Sequence, residues 1–189
     1  PIGLEPETQK CEAILQAWYP GQQGGKAVAE VLFGDYNPAG KLPVTFYRNV
    51  SQLPDFEDYN MTGRTYRYMQ DVPLFPFGYG LSYTTFGYGK TVLDKNELTA
   101  GQSLKLTVPV TNTGKRNGEE VVQVYLRKQG DAEGPIKTLR AFKRVSIPAG
   151  KTVNVEFDLK DKELEWWDDQ SNTVRVCPGN YDIMVGGSS

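Results

Sequence analysis

Histidine is absent from all 189 residues, and cysteine occurs only twice. The first absence removes Ser-His-Asp and Cys-His catalysis and every imidazole metal ligand. Two cysteines cannot complete a four-ligand zinc shell, so no metal centre is expected. Cys11 and Cys177 stand near opposite ends of the chain and read as reduced thiols rather than as a disulfide framework. Charge of one sign is scarce as well. With 23 acidic and 21 basic side chains the formal charge is −2, and without a basic field nucleic-acid binding is disfavoured. Long hydrophobic runs are missing: Ala27–Val28–Ala29 and Val31–Leu32–Phe33 fall far below the roughly 18 residues a membrane helix needs. Any catalysis carried by this chain would have to rest on carboxylates, Tyr, Lys or Arg. What is present argues for a packed body: 39% hydrophobic and 12% aromatic residues, in a length that suits one domain or two small ones. The chain opens at Pro1 with neither an initiating methionine nor a signal peptide, and so reads as a piece of a longer polypeptide.

Three regions differ in pattern. Residues 1–46 read as α/β. Ala13–Tyr19 is a short, mostly apolar run ended by Pro20-Gly21, suited to a buried strand. Ala27, Val28, Val31 and Leu32 then recur at helical spacing, with Gly34 where a left-handed C-cap belongs. After the turn Asn37-Pro38-Ala39-Gly40 comes a second strand, Leu42–Phe46. Strand, helix and strand in this span make one βαβ unit with parallel strands. A single such unit cannot cover both faces of its sheet, so the rest is expected on missing polypeptide or a partner, and the isolated segment should be poorly ordered or self-associating. Residues 47–82, rich in Tyr, Pro, Gly, Asp and Asn, hold no period and read as an ordered connector anchored by Phe75-Pro76-Phe77-Gly78-Tyr79-Gly80.

Residues 83–189 alternate as strands do. Leu104, Leu106, Val108 and Val110 share one face. Val122, Val124 and Leu126 share another, opposite Gln123 and Tyr125. Val145 and Ile147, then Val153, Val155 and Phe157, flank Pro148-Ala149-Gly150, and Tyr181, Ile183 and Val185 finish the series. Several short strands between turn signals predict an antiparallel β-sandwich of immunoglobulin size. No Cys…Trp…Cys spacing is present, so a fibronectin type III-like sandwich fits better. The fold class is thus mainly β, with a partial α/β segment and a long irregular connector in front.

Motifs with chemical promise have plainer readings. Gly21-Gln22-Gln23-Gly24-Gly25-Lys26-Ala27 has the wrong glycine spacing for a phosphate loop and no Ser or Thr after Lys26. In Gly78-Tyr79-Gly80-Leu81-Ser82-Tyr83 a tyrosine holds the third glycine position of a dinucleotide fingerprint. The carboxylate pairs Glu57-Asp58 and Asp168-Asp169 are adjacent in polar loops and are expected to diverge into solvent, whereas glycoside cleavage needs two carboxyls facing each other across a sugar. Neither forms a calcium-loop pattern. Trp166 and Trp167 should point to opposite faces, one into the core and one over an edge or seam. Asn49-Val50-Ser51 and Asn60-Met61-Thr62 satisfy the N-glycosylation triplet, which matters only in a eukaryotic secretory route.

Taken in order, the punctuation is more specific than any single motif. Ala13–Tyr19 with Pro20-Gly21-Gln22-Gln23-Gly24-Gly25, then Ala29–Phe46 (AEVLFGDYNPAGKLPVTF), then Leu74–Phe86 (LFPFGYGLSYTTF) strongly resembles glycoside hydrolase family 3. The sandwich with Val110-Thr111-Asn112-Thr113-Gly114 is similar to the fibronectin type III-like domain that closes many members. Gly63-Arg64-Thr65-Tyr66-Arg67-Tyr68 looks closer to the β-xylosidase branch than to most β-glucosidases.

The resemblance implies a retaining, exo-acting β-glycosidase, either β-xylosidase or β-glucosidase, in which one carboxylate attacks the anomeric carbon and another protonates the leaving oxygen. It places the nucleophile in an N-terminal barrel and the acid/base in the α/β domain upstream of Ala13, so neither is assigned to this chain; Glu5 and Glu7 do not sit in that motif. No cofactor or metal is implied. The implied partners are the barrel and the remaining α/β domain of the same enzyme, with an oligosaccharide as substrate, and the implied location is periplasmic or secreted. Domains are expected at 1–46, 47–82 and 83–189. Arg64, Tyr66 and Arg67 are the candidate substrate-binding residues, since Arg and Tyr donate to sugar hydroxyls, although pinning the connector is the preferred role. Two other readings stay open: a non-catalytic carbohydrate-binding or adhesion module, and a small nucleotide-binding protein.

Overall fold

The computed structural model describes residues 3–189. After residue 85 the chain forms β1 (Phe86–Tyr88), β2 (Val92–Leu93), β3 (Leu104–Asn112), β4 (Gly118–Lys128), β5 (Thr138–Ile147), β6 (Thr152–Leu159), β7 (Glu165–Asp168), β8 (Thr173–Val176) and β9 (Tyr181–Gly186). Two antiparallel sheets face each other. In one, β3 pairs with β6 along one edge and with β1 and then β2 along the other; in the second, β4 lies between β5 and β9. The hairpin β7–β8 is separate. Two-residue periodicity explains the layering. β3 sets Leu106 against Phe157 and Val108 against Val155, and these side chains meet Val122, Val124 and Ile147 of the other sheet in one core. The predicted sandwich is therefore present, strand for strand. Pro109 sits inside β3 without cost because its ring nitrogen faces the gap between β1 and β2, the same edge on which its carbonyl accepts from Gly89 N–H at 2.8 Å.

The α/β expectation holds for the helix and fails for both strands. After a short helix α1 (Glu5–Lys10), residues 11–20 carry no ladder and are exposed throughout; Ala13–Tyr19 is not a strand among the described residues. Helix α2 (Gly24–Phe33) forms where the spacing put it, and Gly34 closes it at φ +82°. The predicted strand Leu42–Phe46 does not join a parallel sheet. It runs instead against the connector: Phe46 bridges Phe75 antiparallel, and Leu42 exchanges bonds with Gly78 and Tyr79. A two-stranded parallel ribbon leaves both faces wet and pairs slightly less well per residue than an antiparallel one. The aromatic antiparallel partner wins: Trp18, Phe46, Phe75 and Tyr79 form a chain of ring contacts at 6.4, 6.3 and 5.3 Å between centroids.

The connector is ordered, as expected, but not wholly irregular. It contains a 3₁₀ turn (Val50–Gln52) and one helical turn α3 (Thr65–Tyr68). Its course is fixed by covering the outer face of β4. Gln123 and Tyr125, expected opposite the core and so towards solvent, are 3% and 1% exposed. The connector supplies their second core: Tyr66 stacks on Phe77 at 4.3 Å and meets Tyr125 edge-on at 5.9 Å.

Candidate functional site

Between the N-terminal segment and the sandwich lies a seam of buried polar groups. Lys41 Nζ pairs with Glu120 Oε2 at 3.3 Å, and Tyr88 Oη donates to Glu120 Oε1 at 2.8 Å. Burial, reinforced by the Glu120 carboxylate, pushes the Tyr88 phenol far above its ordinary value of 10. Gln123 Nε2 donates to the carbonyls of Gly78 (3.2 Å) and Gly187 (2.6 Å). Its Oε1 accepts from Tyr125 Oη at 2.5 Å. Burial, with Tyr66 alongside, raises the Tyr125 phenol too. Gly78 must be glycine twice over: its φ is +80°, and a Cβ would lie 2.1 Å from Gln123 Oε1. Asn37 ties three elements, donating to Asn117 O at 3.0 Å and accepting from Ser82 Oγ and Tyr83 N. The Arg116 guanidinium donates to the Gly34 carbonyl, placing a cation at the C-terminus of α2. None of these seam residues was a sequence candidate. Lys41 lay inside a run read as turn and strand, and Glu120 and Gln123 looked like ordinary outward positions. The one available signal was their placement amid apolar residues of a long strand.

The three sequence candidates do not converge. Tyr66 faces the sandwich, stacked on Phe77, with its Oη accepting from Leu139 N at 3.1 Å. Arg67 lies over the Tyr68 ring at 5.7 Å, and its carbonyl accepts from Ile136 N at 2.6 Å, so both residues pin the connector to β5. Burial, and then the neighbouring Arg67, lower the Arg140 guanidinium. Only Arg64 borders an open groove. That groove, about 630 Å³, is walled by Val50, Leu53, Pro54, Phe56, Tyr59 and Arg64. Arg64 also clamps its own loop: Nε donates to Asn60 O at 2.9 Å and Nη2 to the carbonyls of Asp58 and Asp55. Directly after it, Thr65 stands at φ +56°, a strained setting for a β-branched residue, with its N–H donated to Tyr47 Oη at 2.9 Å.

The remaining motifs take their plain readings. Asp58 accepts from Asn60 N and Nδ2, closing a turn rather than facing Glu57 across a cleft. Asp168 accepts from Ser171 Oγ and Arg175 Nε across the β7–β8 hairpin, and these bonds hold its carboxyl below the usual range. Trp166 is buried with Leu126 and Cys177 and lies under Arg140, while Trp167 is exposed, the predicted division. Both cysteines are free thiols.

Comparison with known proteins follows the same division of the chain. Residues 1–83 match the glycosyl hydrolase family 3 C-terminal domain, and residues 120–189 match a fibronectin type III-like domain. The whole chain is 57% identical to part of a xylan 1,4-β-xylosidase of Xylanibacter ruminicola, covering 22% of that protein. It is 38% identical, again over its full length, to part of a periplasmic β-glucosidase of Salmonella typhimurium, covering 26% of it. Among solved structures, a β-glucosidase of Erythrobacter marinus superposes with TM-score 0.82 at 43% identity over 96% of this chain and 24% of its own. A β-glucosidase of Chaetomella raphigera superposes with TM-score 0.86 at 32% identity over 100% of this chain and 30% of its own. The chain thus spans about a quarter of the length of the curated relatives it matches, which are larger single-chain enzymes.

Proposed function

We propose that this chain, which belongs to glycoside hydrolase family 3 and corresponds to the C-terminal part of its β-xylosidases and β-glucosidases, serves as the brace of a retaining exo-acting β-glycosidase and contributes neither catalytic carboxyl. In this reading residues 1–46 complete an α/β domain, 47–82 connect, and 83–189 form the sandwich that holds the first two in place. The reaction itself, displacement by one carboxylate and protonation of the leaving oxygen by another, belongs to polypeptide outside this chain. The observation that carries the proposal is the contrast at residues 11–20: Ile14, Leu15, Trp18 and Tyr19 are left in water without a ladder, beside a sandwich whose core is complete. An edge with those residues belongs against further layers of an α/β sheet.

Of the three candidate sugar contacts, Arg64 alone is placed to serve, because it borders the open groove and keeps Nη1 outside its own loop-clamping bonds, whereas Tyr66 and Arg67 are engaged with the sandwich. The Arg64 guanidinium would meet substrate hydroxyls as a donor. A periplasmic or secreted location follows the Salmonella relative's name.

The test is direct. The purified chain, incubated with aryl β-xyloside or β-glucoside, is expected to release no phenol, while the enzyme that contains it turns over at ordinary rates. Enzyme-like release by the chain alone overturns the reading. Within the full enzyme, Arg64→Ala is expected to raise the Michaelis constant; unchanged kinetics with a lower melting temperature would leave Arg64 a purely structural role.

A further inference from the structure

Two exposed apolar regions of the molecule differ in kind. The first, Ile14, Leu15, Trp18, Tyr19, Leu32 and Phe33, lies on a backbone without its own hydrogen-bond partners between residues 12 and 20 and has the character of unfinished core. The second is the loop 50–64, where Phe56 is 93% and Tyr59 89% exposed. Its backbone is finished from within. Asp55 Oδ1 accepts from Glu57 N at 2.9 Å, Asp58 Oδ1 from Asn60 N at 2.9 Å, Val50 O from Leu53 N at 3.0 Å, and Arg64 binds three of its carbonyls. The loop therefore holds its two rings in water without needing a neighbour to fold, and it does so next to the strained Thr65. A groove of this size, with aromatic walls and the polar groups of Asp58 and Arg64 on it, has the make-up of a small-molecule site rather than of a cut surface.

We propose that Phe56 and Tyr59 form the leaving-group platform of the enzyme: their faces stack the apolar C–H face of the sugar on the far side of the scissile bond and so select oligosaccharides over substrates with a small leaving group. The proposal rests on the glycosidase reading above and deepens it. An aromatic face suits a pyranose because the ring's quadrupole meets its C–H groups without asking for directional bonds, so the platform binds xylose or glucose units alike. Asp58 and Arg64 add the few directional contacts that fix orientation. Phe56 and Tyr59 are thus specificity-determining residues, not acid, base or nucleophile.

The experiment uses the full enzyme and compares two substrates with the same glycone, a disaccharide and the glycosyl fluoride, whose leaving fluoride has nothing to stack. In Phe56→Ala and in Tyr59→Ala the ratio of kcat/KM for disaccharide to that for fluoride is expected to fall roughly tenfold, and Phe56→Trp should restore it. An equal fall on both substrates together with a lower melting temperature would make the loop a packing surface against another domain and overturn the proposal, as would an unchanged ratio in both variants. Failure of the unmutated enzyme to hydrolyse either substrate would instead overturn the glycosidase reading.

Discussion

The sandwich and the segment before it obey the same alternation rules, yet one is finished and the other is not. In the sandwich, inward residues of β3, β4 and β6 find each other across two sheets contained in one stretch of chain, and Val108, Val110, Val122 and Val124 reach zero exposure. In residues 11–46 the apolar run is as strong, but its side chains stay wet and only α2 takes regular form. A helix satisfies its own backbone, and a strand must borrow a neighbour. Local pattern therefore suffices for the helix, while each strand depends on what lies beside it.

That comparison can be broken or sharpened by mutation. The largest effect is expected at Leu106, 1% exposed in the middle of the core. Leu106→Ala should cost about 4 kcal/mol of unfolding free energy in urea titration, and a loss under 1 kcal/mol would mean the sandwich core is less complete than its burial indicates. Next comes the seam. Lys41→Met leaves the Glu120 carboxylate buried without its cation and should cost about 3 kcal/mol; Lys41→Met with Glu120→Leu should regain most of it. If the double variant is no more stable than the single, the pair is not what joins the two regions.

A pH titration probes the same seam more gently. Tyr88 and Tyr125 are raised by burial, and Tyr181 is pushed up to about 12, chiefly by burial. A phenol with a raised folded pKa stays protonated in the fold after the unfolded chain has begun to lose its proton. Stability should accordingly be flat from neutral pH to about 10 and fall as pH climbs beyond it. Tyr88→Phe should make that fall shallower, and an unchanged slope would show that Tyr88 titrates freely. The smallest effect belongs to the unfinished region: Phe33→Ser, at an exposed position of α2, should move the unfolding free energy of this chain by no more than about 0.5 kcal/mol. The same change in the full enzyme should cost several times more, and equal small effects in both would mean that nothing covers α2.

Legibility followed the same physics. Val122, Val124 and Leu126 named their face in advance because period 2 and a nearby second sheet agree. Helix α2 was readable down to Gly34, whose left-handed φ only glycine adopts cheaply. Leu42–Phe46 was read as extended correctly and paired wrongly, since apolar residues do not say which edge they will meet; the aromatic Phe75 and Tyr79 decided it. Gln123 and Tyr125 were hidden for a related reason. A polar residue on a strand normally marks solvent, and nothing within β4 reveals that residues 66–78 return to lie over it. Arg64 was singled out by its chemistry, but Phe56 and Tyr59 were not, because exposure is a property of the folded loop and not of the letters.

One feature of β4 reaches beyond stability. With both of its faces roofed, this strand is the middle floor of a three-storey stack, and the top storey is the stretch 63–82. Anyone grafting the sandwich onto another catalytic body would therefore need to cut upstream of Gly63. A splice at Tyr83 would strip the roof, expose an amide and a phenol that have no water-facing design, and carry over a module whose borders in space do not coincide with its borders in sequence.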